Sequence, residues 1–139
     1  MREIEFRGKN LDNGEWQHGW YLEINTDDPR IAFLDENKMP QVIQVDRKTV
    51  GQYTGQKDKN GVEIFEGDVL VDALRKEDVR KYLVQWDDYC SRFLAVTKPI
   101  EDDSGETMYL WYVGAELGKN GLVIGNIHDN PELLDGGIA

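Results

Sequence analysis

Residues 54–70, TGQKDKNGVEIFEGDVL, decide the fold that we predict for this chain. Two tight turns are expected here, one at Asn60-Gly61 and one at Glu66-Gly67, and the largely apolar stretch VEIF separates them. Glycine adopts positive φ at no steric cost, so each turn can reverse the chain sharply. Reversals this close together favour short antiparallel strands and make a long helix implausible in this region.

Apolar residues alternate with polar ones along much of the remaining chain. In REIEFRG, Ile4 and Phe6 face one side and the charged residues face the other, which is the period of a half-buried strand. Helix is predicted only over residues 72–79 (DALRKEDV) and at PELL near the end, and neither segment is long enough to be stable alone. We therefore predict an all-β fold of short antiparallel strands and hairpins with little helix. The remaining strands are predicted in WQHGWYLEI, RIAFL and PQVIQV, in the pair VRKYLVQWDD and SRFLAVT, and in a last pair, TMYLWYVG and GLVIGNIH, joined by AELGKNG.

Three Asn-Gly dipeptides mark predicted hairpin turns, at residues 13–14, 60–61 and 120–121. Asparagine and glycine both tolerate positive φ, and the dipeptide is therefore typical of a type I′ turn. Gly19, inside a predicted strand, is interpreted as a β-bulge.

A chain of 139 residues is short enough for one domain. We predict a single domain over residues 1–139, with two small β subunits that share a core and meet near residues 50–60 as the alternative.

The formal net charge of −11 limits the classes of partner. Such a field repels phosphate backbones and disfavours nucleic acid as a ligand. The one basic cluster is interrupted by Glu77 and Asp78, and we interpret it as a solvated surface segment. Its members are Arg75, Lys76, Arg80 and Lys81.

The cellular setting is predicted to be the cytoplasm, with no membrane contact. Cys90 is the only cysteine, so no disulfide forms within one chain. The first residues lack the apolar core of a signal peptide, and no run of about 18 apolar residues could span a bilayer.

Two motifs approach ligand-binding signatures without completing them. The loop at 56–67 resembles a calcium loop, but Gln56 and Gly67 occupy its first and twelfth positions, where carboxylates are needed. GAELGKN is one residue too short for a phosphate loop and ends in Asn120 instead of a hydroxyl residue. We predict no metal and no cofactor.

No catalytic residues are predicted, and the chain is interpreted as not being an enzyme. Ser91 and Ser104 lie outside any nucleophile motif. His18 and His128 are far apart in the chain, and a lone histidine in a β protein is usually structural. Cys90 is expected to be half-buried in a packing role, with an exposed thiol as the alternative.

Aromatic residues in or beside the predicted strands are the remaining signal. We expect them to pack in the core, with a platform of two or three on one exposed face as the alternative binding site. They are Trp16, Trp20, Tyr21, Trp86, Tyr89, Trp111 and Tyr112.

Three segments, in order, resemble one protein family: MREIEFRGK, VGQYTGQKDKNGVEIFEGDVL and VIGNIHDNPELL. The chain resembles the YopX-type proteins, which are encoded by bacteriophages and prophages. The resemblance implies an all-β protein with SH3-like barrel character, in which FEGDVL begins the barrel and Asp68 caps its turn. It implies no catalytic residues.

Three hypotheses for function follow. The first is a phage- or prophage-encoded cytoplasmic protein that binds a host or phage protein without catalysis, with a homo-oligomer left open. The second is an acidic decoy that imitates nucleic acid and occupies a DNA-binding enzyme. The third is a hydrolase that uses His128 with nearby carboxylates.

Overall fold

A computed structural model of the chain describes residues 4–134 except 24, 26, 78, 101 and 103. The described residues form eleven strands, one short helix and two 3-10 turns. None of their helices is long and apolar enough to cross a membrane. The strands are β1 Phe6–Lys9, β2 Trp16–Glu23, β3 Pro29–Leu34, β4 Pro40–Gln44, β5 Gly51–Lys57, β6 Glu63–Phe65, β7 Asp68–Asp72, β8 Tyr82–Asp87, β9 Arg92–Val96, β10 Leu110–Tyr112 and β11 Gly121–Asn126; the helix α1 is Ala115–Asn120, and the 3-10 turns are Arg47–Thr49 and Pro131–Leu133.

The strands belong to two antiparallel sheets, and the chain divides into two compact units between Tyr53 and Thr54, inside β5. The all-β prediction with little helix is confirmed. The single-domain prediction and its alternative of a shared core stay predictions.

In the first unit the strand order is β4-β3-β2-β1-β5. One face of this sheet carries the core, where Ile31 and Val45 are fully or almost fully buried and the rings of Phe6 and Tyr21 lie 5.8 Å apart. These residues share a face because side chains alternate along each strand. The opposite face carries Trp16, His18 and Trp20.

At one end, this sheet turns back on itself. Asn10 and Val45 form an isolated antiparallel bridge, and the Asp46 N–H donates to the Lys9 carbonyl at 2.8 Å. Strand β4 otherwise pairs only with β3, and neither sheet closes into a barrel within the described residues. The SH3-like barrel therefore stays a prediction.

The turn between β3 and β4 is held by the Asp35 carboxylate. It accepts hydrogen bonds from the backbone N–H of Met39 and Asn37, both at 2.9 Å, and from the Gln41 amide at 3.0 Å. The Met39 N–H, followed by the Gln41 amide, holds the pKa of this carboxyl below its ordinary 3.8.

We expect Asp35→Asn to lower the melting temperature at neutral pH, by an amount that disappears in acid. A lowered folded-state pKa stabilises the fold when the carboxyl is ionised, and this stabilisation is complete above the ordinary pKa. It is lost as the pH falls through the lower pKa of the folded chain. Thermal melts from about pH 7 to about pH 3 measure the difference between wild type and variant. Glu36→Gln on the same turn is the control, and a difference that stays constant with pH would contradict the expectation.

The second unit contains the sheet β10-β9-β8-β7-β11 and the hairpin of β6 with the later part of β5. Both faces of its central strands are covered, and the strands therefore show runs of consecutive buried residues instead of strict alternation. One core cluster contains Ile64, Leu70, Tyr82, Val84, Ala95 and Leu117, and the other contains Val69, Leu83, Leu94 and Val96.

The hairpin of β8 and β9 is confirmed, with Leu83 opposite Val96 and Asp87 opposite Arg92. The predicted last pair is wrong. Strand β10 pairs with β9, and β11 pairs with β7; the segment between β10 and β11 contains the helix α1 instead of a hairpin loop.

The helix lies where the sequence predicted a connection. Within residues 72–79, of which 78 is not described, β7 ends at Asp72 and a turn follows, so the predicted helix there is wrong. Helix α1 forms in AELGKN because Leu117, which is fully buried, attaches this segment to the core. The predicted turn of helix at PELL is confirmed as a 3-10 turn.

The type I′ turn predicted at Asn13-Gly14 is wrong, and Asn120-Gly121 is not a hairpin turn. The hairpin turn predicted at Asn60-Gly61, with positive φ at its glycine, is confirmed. Gly14 and Gly61 have φ of 73° and 83°, but neither preceding asparagine has positive φ. The Gly61 N–H instead donates to the Asp58 carbonyl at 3.0 Å, closing a four-residue turn that ends in a left-handed glycine. Gly121 has φ of −81° and follows the helix.

Gly19 is not a bulge, since it pairs in regular register with Phe6. A Cβ at this position would lie 2.2 Å from the Ala32 carbonyl oxygen. The glycine is required by the close approach of β2 and β3.

Candidate binding site

The aromatic side chains selected from the sequence lie mostly at the surface. Core packing is wrong for Trp20, Trp86, Tyr89 and Tyr112, which are exposed. Trp16, Tyr21 and Trp111 are half-buried. The buried tyrosines are instead Tyr53 and Tyr82.

An open cavity of about 360 Å³ lies on the first unit and includes one of these exposed aromatics, Trp20. The strand register explains how its walls come together. Phe6 lies opposite Gly19, and one step along this register places Glu5 beside Trp20. Trp20 lies opposite Ala32, and two steps along this second register place Leu34 opposite His18. The lining residues are Ile4, Glu5, Gln17, His18, Gly19, Trp20, Phe33 and Leu34.

The rim of the cavity is unusually apolar for an exposed surface. Ile4, Trp20 and Leu34 are exposed by 54%, 58% and 54%. Val42, two strands from Trp20 in the same cross-strand row, is also exposed. Ala32 lies between them and carries only a methyl group. A cluster of exposed apolar side chains around a concavity is typical of an interaction surface.

One polar contact lies in this apolar lining. A Glu5 carboxylate oxygen is 3.3 Å from Nδ1 of His18, and both side chains remain partly accessible. The pair orients the imidazole and gives the cavity a polar end. Among the described residues that line it there is no serine, threonine or cysteine.

Trp16 and Trp20 lie on the same face of β2 but differ in their surroundings. The Arg7 guanidinium is 4.6 Å from the centre of the Trp16 ring, and the Lys9 ammonium is 5.4 Å from it. Trp20 makes no cation or ring contact with any described residue.

His128 lies outside the cavity. Its backbone N–H donates to the Asn126 side-chain oxygen at 3.0 Å, and the Asn126 amide donates to the Asp129 carboxylate at 3.0 Å. The imidazole lies beside Gly67, where an added Cβ would be 3.2 Å from Nε2. His18 and His128 are therefore not brought together in one described site.

Cys90 is an exposed free thiol, and the predicted half-buried packing role is wrong. It lies in the turn between β8 and β9, in which Ser91 has φ of 52°. A hydrogen bond with Asp87 raises the pKa of the thiol, which favours its protonated, less nucleophilic form.

The basic cluster is only partly a solvated segment. Arg75 and Lys76 are exposed, whereas Arg80 and Lys81 are half-buried. The Arg80 guanidinium lies 3.6 Å from the centre of the Tyr109 ring.

The loop that resembles a calcium site is organised by Asp58. This buried carboxylate accepts hydrogen bonds from the backbone N–H of Asn60 and Val62 at 2.8 and 2.9 Å, and from that of Val123 in β11 at 3.0 Å. Asp58 thus joins the β5–β6 hairpin to β11. Both carboxylate oxygens accept from backbone N–H groups, so the role of Asp58 is structural.

Sequence reasoning selected Trp20 and His18 but missed Glu5, Phe33 and Leu34. A signal was present, since strands β2 and β3 carry apolar residues at both alternating positions. In WQHGWYLE and PRIAFL, neither face is fully polar, so an apolar outer face could have been expected.

These observations define an all-β protein with two antiparallel sheets and an apolar cavity on its first unit. The chain belongs to the YopX protein family, whose family model matches residues 5–135. The resemblance stated from its motifs is confirmed.

One solved structure is similar over nearly the whole chain. The crystal structure of protein EF1440 from Enterococcus faecalis aligns with a TM-score of 0.58 and 24% identity, covering 97% of this chain and 100% of that one. At this identity the likeness concerns the fold alone. No curated protein matches the chain.

Proposed function

We propose that this chain is a non-enzymatic protein-binding module, encoded by a phage or prophage, that engages a host or phage protein through the cavity around Trp20. The main support for this proposal is the cluster of Ile4, Trp20 and Leu34, which surround one concavity and are each more than half exposed. Docking a partner would remove this apolar surface from water, and tryptophan is among the residues that contribute most to binding energy. The single cysteine supports a reducing, cytoplasmic setting.

The fold-level part of the proposal is SH3-like barrel character. The bridge between Asn10 and Val45, which brings the ends of β1 and β4 together, supports it. Barrels of this kind have many unrelated binding roles, so the argument for function depends on the cavity and not on the fold.

The acidic decoy is less well supported, because many of the acids have local structural tasks. A phosphate mimic needs exposed carboxylates spaced along one face. Among the described residues, six aspartates instead accept a hydrogen bond from the backbone N–H two residues later, the geometry of an Asx turn. They are Asp35, Asp46, Asp58, Asp72, Asp87 and Asp102. Turn formation therefore accounts for part of the acidic excess.

A hydrolase is also less well supported. The described lining of the cavity offers an acid–base pair, Glu5 and His18, but no nucleophilic side chain. His128 lies elsewhere.

We expect Trp20→Ala to weaken partner binding at least about tenfold, the effect of removing a central aromatic anchor. The partner is first captured from infected host cells by cross-linking, then purified and titrated calorimetrically against each variant. Tyr89→Ala, which removes a 96% exposed aromatic outside the cavity, is the matched control and should leave the affinity within about twofold.

Equal affinity of wild type and Trp20→Ala would refute the proposed surface. Light scattering on the free chain, with and without the same substitution, tests the alternative that a second copy occupies the cavity. A dimer that dissociates on Trp20→Ala would replace the heterologous partner in this proposal.

A further inference from the structure

Trp16 and Trp20 lie on the same face of β2, and they differ in the charged groups that surround them. Two cations of the same chain lie over the Trp16 ring: the Arg7 guanidinium is 4.6 Å and the Lys9 ammonium 5.4 Å from the ring centre. Trp20 lies four residues later on the same face and is 58% exposed. Within the described residues it has no such cation.

The same stacking occurs twice more in the second unit. The Arg80 guanidinium lies 3.6 Å from the Tyr109 ring centre, and that of Arg92 lies 4.1 Å from the Tyr112 ring centre. Cations are attracted to the negative face of an aromatic ring, and the indole is the best of the three rings for this interaction. Trp20 therefore offers a surface that the chain elsewhere covers with arginine or lysine.

A carboxylate stands next to this ring. Glu5 lines the same cavity as Trp20, and continuing the β1–β2 register one residue beyond the pair of Phe6 and Gly19 places Glu5 opposite Trp20. An indole face with an adjacent carboxylate is complementary to a positively charged group that has either a flat surface or an alkyl chain. Arginine and lysine side chains satisfy both requirements, since their stems are apolar and their ends are cationic.

We propose that Trp20 and Glu5 form a receptor for one arginine or lysine side chain of the protein partner, an inference that rests on the proposed protein-binding function. The stem of that side chain lies against Trp20 and Leu34, and its charged end pairs with Glu5. The net charge of −11 favours the approach of a basic segment and opposes phosphate-bearing ligands. A neutral sugar could stack on the ring and hydrogen-bond to the carboxylate, but it would gain nothing from the net negative charge.

A pair of peptides tests the charge requirement without any substitution in the protein. The probe is an extended hexapeptide with a central arginine flanked by leucine and serine, and its control carries citrulline, which has nearly the same shape without the charge. Binding is followed by nuclear magnetic resonance through the indole N–H signals of the four tryptophans, at low salt and about pH 8, where histidine is ordinarily neutral. The Trp20 signal is assigned by its loss in Trp20→Phe.

The arginine peptide should shift the Trp20 signal saturably at millimolar concentration, and the citrulline peptide should bind about fivefold more weakly or worse. Glu5→Gln should weaken binding of the arginine peptide by a similar factor and leave binding of the citrulline peptide unchanged. Trp20→Leu should weaken both peptides, and Tyr89→Ala should weaken neither. Added salt should reduce only the binding of the arginine peptide.

Equal binding of the two peptides, binding unaffected by Glu5→Gln, or no shift at any millimolar concentration would each overturn the receptor. The purified partner separates this failure from failure of the proposed function. If Trp20→Ala weakens binding of the partner but Glu5→Gln does not, the proposed docking surface is supported and the proposed cation receptor is refuted. If neither substitution changes the affinity for the partner, both the docking surface and the cation receptor are refuted.

Discussion

Replacing Asp58 by alanine is expected to lower the free energy of unfolding by about 3–4 kcal/mol, because one buried carboxylate accepts hydrogen bonds from three backbone N–H groups. Two donors, from Asn60 and Val62, belong to the turn of the β5–β6 hairpin. The third, from Val123, belongs to β11. Alanine removes both acceptor oxygens, and with them all three hydrogen bonds, and it detaches the hairpin from the sheet edge.

Two substitutions divide this effect into its parts. Asp58→Asn keeps an oxygen for the turn but directs its amide at the Val123 N–H, so about half of the loss is expected. Asp72→Ala removes a carboxylate that, among the described residues, accepts from the exposed Leu74 N–H alone, and this should cost about 1 kcal/mol or less. Urea unfolding of the variants gives the free energies. A loss for Asp58→Ala no larger than that for Asp72→Ala would contradict the role assigned to this residue.

Gly67→Ala is expected to cost about 2–3 kcal/mol for two separate reasons. Gly67 has φ of +91°, a conformation that residues with a Cβ rarely adopt. An added Cβ would also lie 3.2 Å from Nε2 of His128, and the backbone cannot move away easily, because the Gly67 N–H donates to the Val84 carbonyl and the Gly67 carbonyl accepts from Ile127. Valine at this position should cost more, since its branched side chain needs more room.

Gly61→Ala separates the two reasons. Gly61 has φ of +83° but nothing within 4 Å of an added Cβ, so only the conformational cost of about 1 kcal/mol is expected. The double variant Gly67→Ala with His128→Ala should recover part of the loss, which a double-mutant cycle measures. Equal losses for Gly61→Ala and Gly67→Ala would exclude a contribution from His128. Lost partner binding at unchanged stability would instead indicate that these glycines admit a ligand.

The local features of the opening stretch could be predicted from sequence, and the reason is that each depends on neighbours in the chain. Gly61 and Gly67 have positive φ, and Asp68 caps its turn by accepting from the Phe65 N–H at 2.8 Å. The hairpin of β8 and β9 was likewise predictable, since a short turn brings two consecutive strands side by side.

The candidate site could be predicted only in fragments. Trp20 was selected as an aromatic and His18 as a lone histidine, but nothing in their spacing connects them to Leu34 or Glu5. Three strands must align in register before these side chains share a cavity. The expectation that most aromatics pack in the core was wrong for the same reason, since alternation shows that a strand has two faces but does not show which face is covered.

The sequence by itself determined the all-β class, the strand periods and the turn glycines, because φ, ψ and side-chain alternation depend on interactions a few residues apart. Only the tertiary structure decided that β10 joins β9 and β11 joins β7, that AELGKN becomes helical around the buried Leu117, and that Trp20 stays exposed beside Glu5. These outcomes depend on which distant segments bury apolar surface together, and that choice is made by the packing of the whole unit.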